Sequence, residues 1–368
     1  PGAMPARPAP APAADGKPAP APAPMPRISM DNGFETVLCD ELIPYIDSHY
    51  RTKATKFGRA MAGLSMGGME THTITLNRPE VFGYYGLLSG GEYSPEEIGD
   101  PALVKGIFLG CGSKESPDQI MKSAEALKAA GRPILFSMCE WGDTKGYEYG
   151  APLAHSWRTT GDIWAHFDGI LEHGSWHANG VMQIMDLNAP LRKYAGPNHW
   201  NDPDMLEVGN GMTVNEDRAH FTMWCMMAAP LILGNDLNNM TQETLDILTN
   251  RDVIAIDQDT LGIQGMRIEQ ADSTEVWLKP LAGDDWAFCI LNRSIEPREV
   301  TLDWERWNTV DEEVSGRAIS FTETIYQWRN LWTNDKKKGN GVTKSKKPQK
   351  VTIPGHDVLL YRLTPKVK

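Results

Sequence analysis

Segments with the character of strands and of helices alternate along most of this chain, and this alternation restricts its fold more than any other feature. Strands are predicted at residues 59–64, 82–88, 106–110, 133–137, 180–187 and 230–234, and helices at 34–50, 66–76, 116–130, 163–172, 220–228 and 241–250. Beyond residue 262 the apolar residues recur with period two, and short strands are predicted at 275–279, 286–292, 298–302, 351–353 and 358–363. Alternating strands and helices favour a parallel α/β sheet, whereas short strands at turn spacing favour a closing antiparallel β-sandwich.

Two kinds of sequence feature are sorted along the chain. All twelve tryptophans follow residue 140, whereas the G-x-S-x-G motif at residues 63–67 lies well before it. A single domain with one core does not normally separate its largest aromatic side chains so completely, so we infer that two regions of different chemistry join near Arg132. Residues 1–30 alternate proline and alanine. Because proline fixes φ and donates no hydrogen bond, this segment is predicted to be a disordered arm.

Net charge and cysteine usage argue against several classes of function. The net charge of −12 argues against a nucleic-acid partner, because binding a phosphate backbone requires an excess of lysine and arginine. No apolar run reaches the roughly 18 residues that a membrane span needs, and the first residues lack the pattern of a signal peptide. Five scattered cysteines without a C-x-x-C pair predict neither a disulfide scaffold nor a zinc site, so we expect no metal and no cofactor. The oligomeric state stays open.

The G-x-S-x-G motif carries the first candidate chemistry. It stands between a predicted strand and a predicted helix, where a sharp turn lifts a serine hydroxyl above the sheet. Its surroundings, R-A-M-A-G-L-S-M-G-G-M-E from Arg59 and F-G-Y-Y-G-L-L-S-G-G from Phe82, resemble the feruloyl and acetyl esterases of the esterase D type. The resemblance covers residues 34–131, within a predicted unit at 31–131, and implies an α/β-hydrolase-like fragment with Ser65 as nucleophile and Glu115 as the acid. His155, in the segment A-H-S-W, is the candidate base, and the family's own segment reads A-H-E-W.

The region after Arg132 resembles a second family, on the evidence of five motifs. These motifs are C-E-W-G at residues 139–142, W-R-T-T-G-D at 157–162, W-N-D-P-D-M at 200–205, A-A-P-L-I-L-G-N-D at 228–236 and D-V-I-A-I-D-Q-D at 252–259. In this order they resemble the melibiase-type α-galactosidases of glycoside hydrolase family 27 over residues 132–368. The resemblance implies that residues 132–262 form part of an eight-stranded β/α barrel and that residues 263–368 form a β-sandwich. The chain is then an apparent chimera of the two families.

The second resemblance assigns roles to individual residues. By position in the motifs, Asp162 is the general acid/base and Arg158 holds a sugar hydroxyl. Cys139 and Trp141 line the galactose pocket, and Met205 contacts the sugar ring. The implied partner is a galactosyl oligosaccharide or a plant polysaccharide with terminal α-galactosyl residues. The family also implies a secreted or periplasmic location, which the sequence itself leaves open.

A retaining glycosidase needs a second, nucleophilic carboxylate about 5–5.5 Å from the acid/base. The family carries it in K-x-D-x-C, one β/α unit before C-E-W-G. Aligning Cys111 with the cysteine of that motif places Leu109 at the aspartate, and an aliphatic side chain cannot attack an anomeric carbon. We therefore expect an incomplete barrel and strongly reduced α-galactosidase activity. Two alternatives stay open: a serine carboxylesterase that uses Ser65, and a carbohydrate-binding protein without turnover.

Overall fold

The computed structural model describes residues 33–98, 101–112, 125, 134–174, 176–271, 273–333, 339–344 and 349–366. The predicted arm at residues 1–30, together with Glu115 and Arg132, lies outside the described residues. The chain divides into two compact units, residues 1–51 and 52–368. In the first unit, three consecutive helical segments confirm the helix predicted at 34–50: α1 (Phe34–Thr36), a π-helical stretch (Val37–Leu42) and α2 (Ile43–His49).

The second unit begins with a parallel sheet. Its first eight strands are β1 (Ala60–Leu64), β2 (Tyr84–Leu88), β3 (Gly106–Gly112), β4 (Ile134–Cys139), β5 (Ser156–Arg158), β6 (Ile170–Glu172), β7 (His177–Asn179) and β8 (Trp200–Asp202). Strands β6 and β7 pair with each other as an antiparallel hairpin. The other six form one sheet in the order of the chain, and every neighbouring pair is parallel. The predicted parallel α/β sheet is therefore confirmed.

Seven helices of the described residues connect or cover these strands. They are α3 (Met66–Asn77), α4 (Pro95–Ile98), α5 (Gly146–Tyr149), α6 (Val181–Asn188), α7 (Val214–Met227), α8 (Gln242–Leu248) and α9 (Arg251–Asp257). Helix α7 begins at a capping box, in which the Thr213 hydroxyl accepts from the Glu216 amide and the Glu216 carboxylate accepts from the Thr213 amide. Of the helices in the described ranges, none combines the length and the apolar character that crossing a membrane requires.

The two faces of the parallel sheet differ in their surroundings. Side chains alternate between faces along a strand, and those of Leu64, Leu88 and Leu135 line an open cavity. Leu64 is 66% exposed on this inner face. Leu87 and Leu109 are buried on the opposite face, against the layer that contains helix α3. The inner face is therefore apolar and accessible, an arrangement that a closed barrel filled with side chains would not leave.

Two sequence-based predictions between residues 163 and 188 are wrong. The segment predicted as a helix at 163–172 is irregular and ends in strand β6, and the segment predicted as a strand at 180–187 is helix α6. An apolar run that is buried on all sides carries no periodicity that would distinguish a helix from a strand. This is the case in α6, where the fully buried residues are Val181, Met182, Ile184 and Met185. The strand predicted at 230–234 is reduced to a single parallel bridge between Leu206 and Leu233.

The remaining strands form antiparallel sheets. They are β9 (Met266–Ala271), β10 (Thr274–Pro280), β11 (Trp286–Asn292), β12 (Arg298–Leu302), β13 (Thr309–Val310), β14 (Ala318–Ile319), β15 (Tyr326–Asn330), β16 (Asn340–Val342), β17 (Gln349–Ile353) and β18 (Asp357–Pro365). One sheet has the order β16-β15-β18-β11-β10-β9, while β12 pairs with β17 and β13 with β14. Their shared core contains Trp286, Phe288, Trp304, Trp307 and Tyr361, among others. This C-terminal β-sandwich confirms the predicted strands and accounts for much of the tryptophan in the second half of the chain.

A second core joins the α/β part to the sandwich. Trp224 of α7 packs in one cluster with Trp277 of β10 and Leu360 of β18. The fully buried Lys279 of β10 donates a hydrogen bond to the Cys225 carbonyl of α7 at 2.8 Å. The sandwich therefore packs against helix α7, and Trp224 of α7 donates a hydrogen bond from its indole nitrogen to the carbonyl of Asp204, just beyond β8, at 2.8 Å.

Candidate active site

The carboxyl edge of the parallel sheet gathers most of the residues that the motifs singled out. Because the six strands run in the same direction, the residues that end them lie at one edge. Ser65 follows β1, Cys139 ends β4, Arg158 ends β5 and Asp202 ends β8. A cavity of about 880 Å³ runs along the inner face of the sheet and reaches the last three of these. Its wall is apolar along the strands and acidic beside Arg158.

Arg158 is the centre of the polar part of this cavity. Its Nη2 donates to Asp204 Oδ2 at 2.8 Å, to Asp162 Oδ1 at 3.3 Å and to the Thr160 carbonyl at 3.2 Å. Its Nη1 lies 4.0 Å from Cys139 Sγ. Arg158 is buried, whereas the side chain of Asp162 is 39% exposed. The structure therefore brings three predicted site residues together and leaves the Asp162 carboxylate accessible from outside.

Two aspartates that the sequence reasoning did not single out complete this cluster. Asp204 has a φ of +86°, which is uncommon for a residue other than glycine. Its carboxylate accepts hydrogen bonds from the amides of Ile163 at 2.9 Å and Met205 at 2.8 Å as well as from Arg158, and these contacts hold the unusual conformation in place. Burial raises the pKa of Asp202 to about 6, although Arg158 opposes the shift. Both aspartates belong to the W-N-D-P-D-M motif at residues 200–205, and this motif was the sequence signal that could have identified them.

The surroundings of Asp204 act on the pKa of its carboxyl in opposite directions. Burial raises the pKa of its carboxyl, while Arg158 and the amides of Ile163 and Met205 lower it in part. A buried carboxylate with a charged donor and two amide donors is a fixed counter-charge for the guanidinium. We therefore interpret Asp204 as the group that positions Arg158, and Asp162 as the carboxylate that is left available for chemistry.

Of the other predicted pocket residues, Cys139 and Met205 line the cavity beside this cluster, whereas Trp141 is not among the lining residues. Burial raises the pKa of the Cys139 thiol to about 11, so Cys139 is a neutral side chain in the wall at neutral pH. Trp141 has a positive φ of 57° in the tight turn after β4. The turn depends on Gly142, since a Cβ there would lie 2.4 Å from the Thr159 carbonyl oxygen. Met205 lines the cavity and is partly exposed.

Strand β3, where a nucleophile is expected, contributes no carboxylate to the cavity. Phe108 and Gly110 line it, whereas Leu109 is only 1% exposed and lies on the opposite face of the sheet. The carboxylates that do line the cavity besides Asp202 and Asp204 are Asp257 and Asp259, which lie at and beyond the end of α9. An aspartate in the place of Leu109 would therefore point away from the cavity, whereas residues 108 and 110 face it.

Ser65 occupies a strained turn of the kind that the motif predicts. Its backbone has φ 53° and ψ −113°, and its side chain is exposed. A Cβ on Gly63 would lie 2.0 Å from the Gly67 carbonyl oxygen, and one on Gly90 would lie 2.0 Å from the Ser65 carbonyl oxygen. Only glycine fits at these two positions, so the close approach of β1, α3 and the end of β2 depends on them.

The structure does not bring the partners of a serine triad to Ser65. His155 directly precedes β5 and Ser65 directly follows β1, and strands β2, β3 and β4 lie between these two strands in the sheet. The imidazole Nδ1 of His155 accepts a hydrogen bond from the Phe136 amide at 3.0 Å. Glu115 lies outside the described residues. The sequence motif did not reveal that three strands would separate the histidine from the serine.

Three family models match this chain. The model for alpha galactosidase A matches residues 100–259, and the model for the alpha galactosidase C-terminal beta sandwich domain matches residues 271–363. An esterase model matches residues 12–179. The esterase and galactosidase matches overlap over residues 100–179, which include strands β3 to β7 and with them Cys139 and Arg158.

The known proteins that this chain resembles also fall into two groups, α-galactosidases and an esterase. The α-galactosidase A of Cellvibrio japonicus is 46% identical over 243 residues, which are 66% of this chain and 58% of that protein. An endo-1,4-β-xylanase/feruloyl esterase of Xylanibacter ruminicola is 71% identical over 98 residues, which are 27% of this chain and 14% of that protein. A structure of an α-galactosidase from Saccharomyces cerevisiae with raffinose has a TM-score of 0.61 at 24% identity, covering 82% of this chain and 83% of that one. The chain thus spans less than two thirds of the Cellvibrio relative, and the yeast structure supports the fold.

Proposed function

We propose that this chain, whose residues 132–368 resemble the melibiase-type α-galactosidases and whose residues 34–131 resemble a feruloyl esterase, is a retaining glycoside hydrolase of the α-galactosidase type. The observation that carries the proposal is the cluster in which Arg158 contacts both Asp162 and the buried Asp204. Its substrate would be a terminal α-galactosyl residue, as in raffinose, which is bound to the yeast relative, or in a plant polysaccharide.

In this proposal Asp162 is the general acid/base. Its partly exposed carboxyl group donates a proton to the glycosidic oxygen as the bond from this oxygen to the anomeric carbon breaks, and a water that adds to the anomeric carbon then gives its proton to the Asp162 carboxylate. In a complete enzyme of this type, a nucleophilic carboxylate binds the anomeric carbon between these two steps. Arg158 has donor capacity left for a sugar hydroxyl, because among the described residues its Nη1 has only the weak acceptor Cys139 Sγ at 4.0 Å. Asp204 fixes the guanidinium, so the site binds the sugar with a preorganised donor.

The sheet is interpreted as an incomplete barrel. Six parallel strands follow the order of the chain, and no strand of the described residues pairs with the free edges of β1 and β8. We infer that β1, β2 and β3, from the esterase-like region, stand where the α-galactosidases carry earlier barrel strands. The inner face that they contribute is apolar, and it lacks the nucleophilic carboxylate. Activity is therefore expected to be far below that of a complete enzyme.

Hydrolysis of nitrophenyl α-galactoside tests the proposal. We expect slow but measurable release of nitrophenol that falls to the uncatalysed rate in Asp162→Ala, while Asp246→Ala, which removes an exposed carboxylate from α8, leaves the rate unchanged. Turnover that is the same in Asp162→Ala as in the wild-type chain would contradict the assigned role. Galactose binding by calorimetry without any hydrolysis would instead identify a carbohydrate-binding protein.

A serine esterase is the second candidate, and the strained backbone of Ser65 favours it. A positive φ at a serine between a strand and a helix is costly, and such conformations cluster at functional sites. A hydroxyl without a base is a weak nucleophile, and the described residues place no histidine beside Ser65. Labelling by a fluorophosphonate that disappears in Ser65→Ala would support the esterase, and the absence of labelling would exclude it.

A further inference from the structure

The hairpin formed by β6 and β7 begins directly beside the proposed acid/base. The Asn179 amide at its base donates to the Asp162 carbonyl at 2.8 Å, and the Trp164 amide donates to the Asn179 carbonyl at 3.0 Å. Asn179 thus bonds to the backbone on both sides of Ile163, with which it forms a parallel bridge. The position of the hairpin is therefore tied to the backbone of Asp162.

Aromatic side chains stack in pairs at both ends of this hairpin. The rings of His173 and Trp176 at the tip lie 4.1 Å apart with an angle of 14° between their planes. The rings of Trp164 and His166 at the base lie 4.5 Å apart at 18°. Trp176 is 39% exposed although it is one of the largest side chains in the chain. The turn that brings His173 and Trp176 together is closed by a hydrogen bond from the His173 amide to the Trp176 carbonyl at 2.9 Å.

Trp164 is half-buried, but the exposed pair of His173 and Trp176 at the tip has no evident role in folding. A two-stranded hairpin has no core of its own, and residues that only stabilise the fold would be buried against the sheet. An exposed indole offers a wide apolar surface at a small entropic cost, and a stacked imidazole fixes the plane of that surface in advance. The apolar C–H face of a neutral sugar ring matches such a surface.

We propose that Trp164 and Trp176, each held by its stacked histidine, form the subsite that binds the leaving-group sugar of an α-galactoside. This inference rests on the proposed function, because the leaving-group oxygen must lie beside the acid that protonates it, and the hairpin is bonded to the Asp162 backbone. Trp176 at the tip is three residues before Asn179 in the chain, which corresponds to about 10 Å along a strand. Trp164 is thus placed for the first sugar of the leaving group, and Trp176 for the sugar beyond it.

The charges nearby favour a neutral ligand. The hairpin and its approach carry Asp168 and Glu172 at exposed positions, in addition to Asp162 itself. An acidic sugar would meet these carboxylates at close range, and like charges are unfavourable there. The expected ligand is therefore a neutral oligosaccharide with a galactosyl end, of which raffinose is a suitable probe.

Calorimetric titration of the intact chain with methyl α-galactoside and with raffinose tests this subsite. We expect raffinose to bind about tenfold more tightly, the increment of roughly one good stacking contact. Trp176→Ala should reduce this ratio to about threefold, the share that remains with Trp164, and leave the affinity for methyl α-galactoside unchanged, whereas Trp176→Phe should retain most of the ratio. Phe57→Ala, which removes a similarly exposed aromatic ring that precedes β1, is the matched control and should change neither affinity.

The outcomes separate this inference from the function on which it rests. If methyl α-galactoside does not bind at all, the proposed function fails, and the subsite fails with it. If methyl α-galactoside binds but raffinose binds no more tightly, or if Trp176→Ala leaves the ratio unchanged, the subsite is refuted and the proposed function stands. Equal loss of both ligands in Trp176→Ala and in Trp176→Phe would show that the indole supports the shape of the site, and would overturn a stacking role.

Discussion

An aspartate in place of Gly110 tests whether a missing carboxylate limits the proposed activity. Gly110 lies on the inner face of β3, where it pairs with Ser137 of β4, two strands from Arg158 on β5. A Cβ at this position would have its nearest neighbours at 3.5 Å, in the ring of Phe108, and at 3.9 Å, in Leu88 and the Ser137 carbonyl. These are ordinary van der Waals distances. We therefore expect Gly110→Asp to fold with a stability within about 1 kcal/mol of the wild-type chain.

Leu109→Asp is the contrasting variant, because residue 109 is the one that a motif alignment would choose. The Leu109 side chain is 1% exposed on the other face of the sheet. Replacing it removes a buried aliphatic side chain and buries a carboxylate without a partner, which together cost at least about 4 kcal/mol. Urea denaturation should show this loss. A carboxylate on that face also cannot reach a sugar in the cavity, so no gain in activity is expected.

The assay is the hydrolysis of nitrophenyl α-galactoside. Gly110→Asp should raise kcat/KM at least about tenfold, which corresponds to about 1.4 kcal/mol of the barrier. The gain should be absent in Gly110→Asn, which has the same shape but no nucleophilic oxygen charge, and it should vanish when Asp162→Ala is added. A folded Gly110→Asp variant that still binds galactose but is no more active than Gly110→Asn would refute the reasoning. A Leu109→Asp variant as stable as the wild-type chain would refute the assignment of faces.

Three further predictions concern groups around the site. Arg158→Met should destabilise the fold by about 3–5 kcal/mol in urea denaturation, because it leaves the buried Asp204 without its charged partner, and an unchanged midpoint would contradict that pairing. Burial raises the pKa of Asp257 to about 7, so the folded state keeps a proton that the unfolded chain releases near pH 4, and stability falls as the pH rises between these values. The free energy of unfolding of Asp257→Asn minus that of the wild-type chain should therefore be up to about 4 kcal/mol larger at pH 8 than at pH 4. If this difference is the same at both pH values, the carboxyl does not titrate in this window. Ser65→Gly should raise stability by about 1–2 kcal/mol because glycine tolerates the positive φ, whereas a loss of stability would mean that the serine side chain supports the turn.

The sequence predicted those features that depend on local pattern. The strands at β11 and β12 have the predicted bounds, because alternating side chains and nearby turn residues define them. The approach of Arg158 to Asp162 follows from two residues four positions apart in one motif. Asp204, however, meets Arg158 across 46 residues and with a positive φ, and no local pattern encodes that encounter. The same limit applies to His155, whose distance from Ser65 depends on the four strand pairings that lead from β1 to β5.

The junction between the two families explains why the fold continues where the chemistry does not. Strand β3 pairs with β4 in continuous parallel register from Ile107 opposite Ile134 to Gly112 opposite Cys139. This pairing uses backbone donors and acceptors, which are the same in every sequence, so an esterase-like strand can lie beside a galactosidase-like one. The inner face is specific, because Phe108 and Gly110 are apolar at the wall that would have to supply a nucleophile. A single polar side chain at residue 110 is therefore the smallest change that would make the chemistry continuous across a junction that the backbone already spans.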